Sequence, residues 1–266
     1  MKEIIRHARI WIRLARINFM SQMEYRANFV TGIMMEAGYL LAKVMYVIVA
    51  YSAGKRIAGY SPDEILVFVG SYVTLTGFYA GVFAMNLFQL TSLVRDGSFD
   101  LLLVKPVNTQ FYATFRRSDM GPLFFDAIAG IVMVAIGLVR SGTAIDLPLV
   151  LGWSFFAATG AAVGYFLWII PISLVFRIVR ADAIAGLADT FWDFNNVPMV
   201  VYGRVGQLVG VFVVPIFVIT NFPALFALGR LPPLWFAWGV VAPVVFGFLS
   251  TRLWRASIRH YASGGN

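Results

Sequence analysis

Residues 61–94 read SPDEILVFVGSYVTLTGFYAGVFAMNLFQLTSLV. The stretch opens as a helix should, with Ser61 as N-cap, Pro62 at the first position and Glu64 three residues after the cap. From Ile65 to Val94 there is then no charge. About 20 apolar residues cross a bilayer, so this run makes a spanning helix with length to spare, which must tilt or project into water at its inner end. Composition extends that reading to the whole chain: 60% of the 266 residues are hydrophobic and 13% charged. Residues 1–266 therefore form one all-α integral membrane unit, with no polar stretch long enough to fold as a separate soluble domain. Cysteine is absent, which excludes disulfides, thiol catalysis and cysteine metal sites. The two histidines, His7 and His260, lie at opposite ends of the chain, so no histidine metal site is expected.

Working outward, the run feeds the longest polar interruption between two apolar runs, QLTSLVRDGSFDLLLVKPVNTQFYATFRR, Gln89 to Arg117. Arg95, Asp96, Gly97 and Ser98 form a solvated turn. Asp100 then leads a compact apolar block, Leu101, Leu102, Leu103 and Val104, which Lys105 and Pro106 close, because a proline stops a short helix at or before the preceding residue. Two readings fit an apolar block on a water-facing loop. Either a partner covers it, or it lies in the lipid headgroup layer.

Before these runs, residues 1–26 carry Lys2, Arg6, Arg9, Arg13 and Arg16 at helical spacing, with Ile4, Ile5, Ala8, Trp11, Ile12, Ala15 and Phe19 on the other face. That is an amphipathic interfacial helix, its cations turned to anionic lipid headgroups. The first span, about Phe29 to Tyr51, contains Glu36 and Lys43. Each costs ~3 kcal/mol at the bilayer centre if it faces hydrocarbon, so both should face protein or water. Their separation along the axis sends them to different partners. Snorkelling to the outer surface is one use for Lys43, and a buried hydrogen bond is one for Glu36.

The third span covers about Met120 to Val139, with Asp119 and Asp126 near its inner end, and the fourth Leu147 to Phe176, with a kink expected at Pro171. Arg177 to Arg204 reads as a second surface helix, with Asp182, Asp189 and Asp193 on one face. A fifth span ends near Thr220, followed by an outer re-entrant segment over 221–233 that contains Asn221, Phe222 and Pro223. The sixth span runs from Leu234 to Thr251. Glycine pairs at Gly77/Gly81, Gly160/Gly164 and Gly206/Gly210 would let helix backbones approach closely, within the bundle of one subunit or across a dimer.

Six spans put both termini on one side. Sixteen of the 21 Lys and Arg residues flank that side, against Lys55, Arg56, Arg140 and Arg230 on the other, which makes the termini and the Gln89–Arg117 loop cytoplasmic. The net charge of +8 sits at membrane boundaries and does not indicate nucleic acid. No phosphate-binding loop, nucleophile elbow or zinc-protease motif occurs. No catalytic or metal-binding residue is assigned, so energy for any uphill transport would come from another chain. The residues themselves leave open a membrane assembly or anchoring protein without a transport cycle, and an intramembrane enzyme using Asp119, Asp126 and Glu36.

The basic N-terminal helix, the six spans, the loop R-D-G-S-F-D-L-L-L-V-K-P-V-N (Arg95 to Asn108) and the F-P segment before the last span together resemble an ABC-2 type transporter permease. The loop is similar to the form G-x-x-D-x-L-L-x-x-P through Gly97, Asp100, Leu102, Leu103 and Pro106, with Lys105 where arginine often precedes the proline. The resemblance implies an ABC-2 (type V exporter-like) fold in a bacterial cytoplasmic membrane. It implies a half-transporter that exports a lipid-like, peptide or drug-like substrate, with a second permease, identical or a sister chain, and two cytoplasmic ATPase subunits that bind ATP and Mg. On that basis Arg95, Asp96, Gly97, Asp100, Leu101, Leu102, Leu103, Lys105 and Pro106, within a coupling loop over 94–112, would seat in the ATPase. Glu36, Lys43, Asn221, Phe222 and Pro223 would belong to the substrate pathway or its outer gate.

Overall fold

The computed structural model describes residues 2–54, 56–176, 186 and 190–261. Among them there is no strand, only an isolated bridge between Ile57 and Tyr60. Among the described residues five helices are long and apolar enough to cross a membrane, and a sixth span follows if a bent helix pair is taken as one.

Helix α1 (Lys2–Glu24) ends at Tyr25, and α2 (Arg26–Ala53), which carries the first span, starts directly after it. The Ser61 capping box is complete: the Ser61 hydroxyl accepts from the Glu64 N–H and the Glu64 carboxylate accepts from the Ser61 N–H at 2.7 Å. It opens α3 (Pro62–Tyr79), which continues through one π-helical turn, Ala80–Ala84, into α4 (Met85–Arg95). Short helices α5 (Asp100–Leu103) and α6 (Thr109–Phe115) lie in the loop, and α7 (Met120–Arg140) and α8 (Leu147–Ile172) return through the bundle. Asp119 and Asp146 cap α7 and α8 by accepting from the backbone N–H of Gly121 and Leu149.

Glycine sets the tightest seam. A Cβ on Gly130 of α7 would stand 2.4 Å from the Thr74 nitrogen of α3, and one on Gly77 would stand 2.7 Å from the Pro122 carbonyl. Backbones at that distance leave no room for any side chain, which is how apolar helices associate where water does not drive them together. Gly77 and Gly81 face α7, while Gly160 and Gly164 face Ile219 and Trp192, so these pairs act inside the subunit. The first span is the exception: only 11% of its apolar window is buried, and Met34, Met35, Leu41, Met45 and Val49 are exposed.

The fold after α8 differs from the sequence expectation in two places. Residues 177–185 and 187–189 of the expected surface helix, including Arg177, Arg180, Asp182 and Asp189, lie outside the described residues. Its described end is amphipathic but packed closely: Asp193, Phe191 and Phe194 are exposed, while Trp192 is buried, stacks on Tyr79 at 4.2 Å and lies against Gly164. The stretch from Thr190 to Tyr202 threads along the side of the bundle, one helical turn to Asp193 followed by two short 3-10 turns.

The second difference is the position of the chain reversal. Helices Arg204–Val213 and Ile216–Ala227 meet at 103° across Val214 and Pro215. Asn221, Phe222 and Pro223 therefore sit inside a buried helix, and of the segment 221–233 only Leu228 to Pro232 are loop. Pro223 is tolerated there for a visible reason. It cannot donate to the Ile219 carbonyl, and that oxygen stands 2.2 Å from where a Cβ on Gly160 would be, so it rests on the bare glycine backbone of α8. A loop over Leu228–Pro232 then leads to the final helix, Pro233–Ile258.

Candidate functional site

At one end of the bundle the polar loop is pinned from within. The chain leaves α4 at Arg95, and Gly97, at φ +72°, takes a left-handed conformation that costs glycine nothing. Phe99 then turns inward. It is 0% exposed and meets Phe176, Trp254 and Tyr261 edge-on at centroid distances of 4.9, 6.4 and 5.2 Å, so the loop is keyed into the ends of α8 and the final helix. Leu102, three residues on and hence on the same helical face, is 6% exposed, whereas Leu101 and Val104 are 66% and 76% exposed. The apolar block read from sequence is therefore two-sided: Phe99 and Leu102 anchor it, while Leu101, Leu103 and Val104 remain uncovered.

Polar contacts complete the frame. The Tyr261 hydroxyl donates to the Gly97 carbonyl at 3.4 Å. Burial, and next the neighbouring Asp100 carboxylate, hold the Tyr261 phenol above its usual pKa. Arg95 and Asp96 form an exposed pair at 3.6 Å, and Lys105 is exposed beside Pro106. The amphipathic α1 is fastened to the loop's return arm. Arg6 donates to the Pro106 carbonyl at 2.7 Å, Asn18 to the Arg116 carbonyl at 3.1 Å and Gln22 to the Ser118 carbonyl at 3.0 Å. Buried Asn86 of α4 clamps the same arm, donating to the Arg117 carbonyl at 2.7 Å and accepting from its N–H at 3.1 Å. The sequence offered one signal for this: Asn18 and Gln22 are uncharged polar residues four apart on an otherwise basic helix.

The intramembrane charges go to separate places. Glu36 lines a cavity of about 290 Å³ with Gln22, Tyr25 and Asp119, and it is reached by the side chain of buried Asp126 from α7. Lys43 does not snorkel outward. Its ammonium donates to Asn196 Oδ1 at 2.7 Å and lies over the rings of Tyr72 and Tyr39 at 4.5 and 5.2 Å. Sequence reasoning missed Asn196 because its segment read as a surface helix. Asn221 is an internal tie, accepting from the Met199 N–H at 2.8 Å, while Phe222 lies parallel to Trp235 at 6.2 Å. The structure thus brings Lys43 and Asn221 to the same threaded segment and leaves Glu36 apart from them.

At the opposite end, Arg140 pairs with Asp63 at 2.9 Å and Arg230 with Glu64 at 2.5 Å, joining the start of α3 to the end of α7 and to the loop before the final helix. Among the described residues no group of His, Cys, Asp and Glu is arranged to hold a metal.

A family model of ABC-2 family transporter proteins matches residues 37–265. The chain belongs to the ABC-2 transporter family. The match begins inside the first span of this ABC-2 protein. It takes in Lys43, the pinned loop, the threaded segment and the bent helix pair, and leaves α1 and Glu36 ahead of it. ABC-2 proteins are membrane components of transporters and generally work with ATP-binding subunits. Searches of curated proteins and of solved structures gave no match.

Proposed function

We propose that this ABC-2 protein is the permease subunit of an exporter in a bacterial cytoplasmic membrane, driven by two cytoplasmic ATPase subunits and paired with a second permease. The observation that carries this reading is the two-sided loop. Exposed Leu101, Leu103 and Val104 offer an apolar patch, flanked by Arg95, Asp96 and Lys105, that a protein groove would cover. Inward Phe99 and Leu102 give that patch a rigid connection to α8 and the final helix. A push on the patch by closing ATPase subunits travels through Phe99 into Phe176 and Trp254, and through Pro106 and Arg6 into α1, so the spans move as bodies while the loop keeps its shape. The charge count supports a cytoplasmic position for this end. ATP and Mg belong to the partner chains, since no nucleotide-binding motif occurs in this one. The polar groups along the pathway come from Lys43, Asn196 and their tyrosines, and Asn221 and Phe222 hold the threaded segment instead of forming an outer mouth.

The test is purification of the chain from its native membrane in mild detergent, followed by mass spectrometry. An ATPase subunit in near-equal amount is expected from the wild type and not from Leu101→Arg. A single chain with no ATPase, under conditions where control complexes survive, would overturn the reading.

A further inference from the structure

The permease reading gives Lys43 a place but no ligand. The residue lies about 14 Å along the helix from the Ser52 end of the first span and about 21 Å from the Phe29 end. At that depth a charge is retained only with a partner. Among the described residues its one hydrogen-bond acceptor is Asn196 Oδ1, at 2.7 Å. The other side of that amide, Nδ2, donates to Asp193 Oδ1 at 3.2 Å, so Asp193 is held one amide group away. Among the described residues no carboxylate lies within ion-pairing distance of Lys43. An ammonium carries three donors, and the faces of Tyr39 and Tyr72 attract the charge without supplying a lone pair.

A cavity of about 250 Å³ opens on this lysine, lined by Tyr46, Phe68, Val69, Tyr72, Asn196 and Val197. Its walls are mostly aromatic and aliphatic, and apart from the two tyrosines its polar residues, Lys43 and Asn196, form one hydrogen-bonded pair. That combination orients a ligand head-first. The volume suits a headgroup and the first carbons of a chain, and the exposed flank of the first span beside Met45 and Val49 leaves the remainder to lipid.

We propose that the Lys43 cavity binds the anionic head of an amphipathic substrate, with carboxylate or phosphate oxygens taking the remaining lysine donors. The inference rests on the permease reading and adds a substrate class to it. A charge-assisted bond in a water-poor site is among the stronger polar contacts available to a ligand. Lysine supplies it as a compact point charge, which accepts either oxyanion.

The experiment uses the full-length chain in phosphatidylcholine nanodiscs, with radiolabelled palmitate, hexadecyl phosphate and hexadecanol as probes. Saturable binding of at least one anion is expected, with no saturable component for the alcohol, and whichever anion binds identifies the head. Lys43→Met should weaken that binding at least about tenfold and Lys43→Arg should retain most of it. Equal binding of alcohol and anions, no saturable anion binding, or unchanged binding in Lys43→Met would overturn the proposal. The comparison of anions with alcohol on the wild type decides the matter if Lys43→Met fails to fold. Co-purification with an ATPase is scored on the same preparation. An ATPase partner without anion binding overturns the substrate class alone, and anion binding without an ATPase overturns the permease reading and leaves the site standing.

Discussion

Phe99→Ala tests the anchor of the loop. The ring is fully buried against three aromatic partners, and truncating such a phenylalanine costs about 3–5 kcal/mol in a packed core. Other ties remain in the variant: the Phe99 N–H to Leu93 carbonyl bond at 2.9 Å, the Tyr261 contact with Gly97 and the Arg6 bond to Pro106. The lower figure is therefore the better guide, and the loss should appear as local opening, since the glycine seam between α3 and α7 lies elsewhere. A local loss of about 3 kcal/mol corresponds to amide exchange roughly a hundredfold faster. Hydrogen exchange read by mass spectrometry should show that increase in peptides covering 96–104, with peptides from α7 unchanged. Leu101→Ala, at an exposed position, should leave the same peptides unaltered. An increase below about threefold over 96–104 in Phe99→Ala, with the remainder of the protein intact, would refute the claim that this side chain holds the loop.

Two loop variants should separate folding from docking. Leu102→Arg puts a charge into a buried site and should lower the thermal midpoint in detergent by several degrees, whereas Leu101→Arg should leave the midpoint unchanged and abolish ATPase co-purification. Gly130→Val and Gly160→Val each force a side chain into neighbouring backbone, so both should yield little folded protein by size-exclusion chromatography; Gly38→Ala, with open space around it, should behave as wild type. Asp126→Asn replaces a buried carboxyl whose Oδ1 has no hydrogen-bond partner among the described residues, and its melting temperature should match or exceed the wild type, because the amide is neutral at every pH and its Nδ2 can still donate towards Glu36. A drop of more than about 5 °C would show that the contact with Glu36 contributes to stability.

The membrane class and most span limits were legible because they rest on local chemistry. Ser61, Pro62 and Glu64 announce a helix start wherever they stand, and an uncharged run from Ile65 to Val94 has no soluble use. The reversal at Val214 and Pro215 was not legible, because Asn221, Phe222 and Pro223 carry turn chemistry while tertiary contacts decide the outcome. Gly160 of another helix accommodates the carbonyl that Pro223 frees, and the Met199 backbone satisfies the Asn221 side chain. The threaded segment was legible only in part. Asp193, Phe191 and Phe194 form the exposed face of an amphipathic pattern, but nothing local shows that Trp192, Asn195 and Asn196 find their partners on α2, α3, α8 and the helix Ile216–Ala227. In the loop, apolar composition was visible, but the division of labour between Phe99 and Leu101 needed the path of the turn at Gly97.

The π-helical turn at Ala80–Ala84 makes the second span tolerant of a change in length at one point. Such a turn is an α-helix that has absorbed one extra residue, so the segments before and after it keep the phase they would have without it. Deleting Ala80 should restore regular α-helix and still leave Asn86 facing Arg117. Deleting a residue between Ile65 and Leu75 would rotate the following part of the span by about 100° against α7. The bulge is not idle, however: the Gly81 carbonyl accepts from the Asp119 N–H at 2.8 Å and so receives the start of α7. Insertions and deletions arising in this gene would be filtered unevenly along a single helix, and the Ala80–Ala84 turn is where a one-residue difference between related chains should be found.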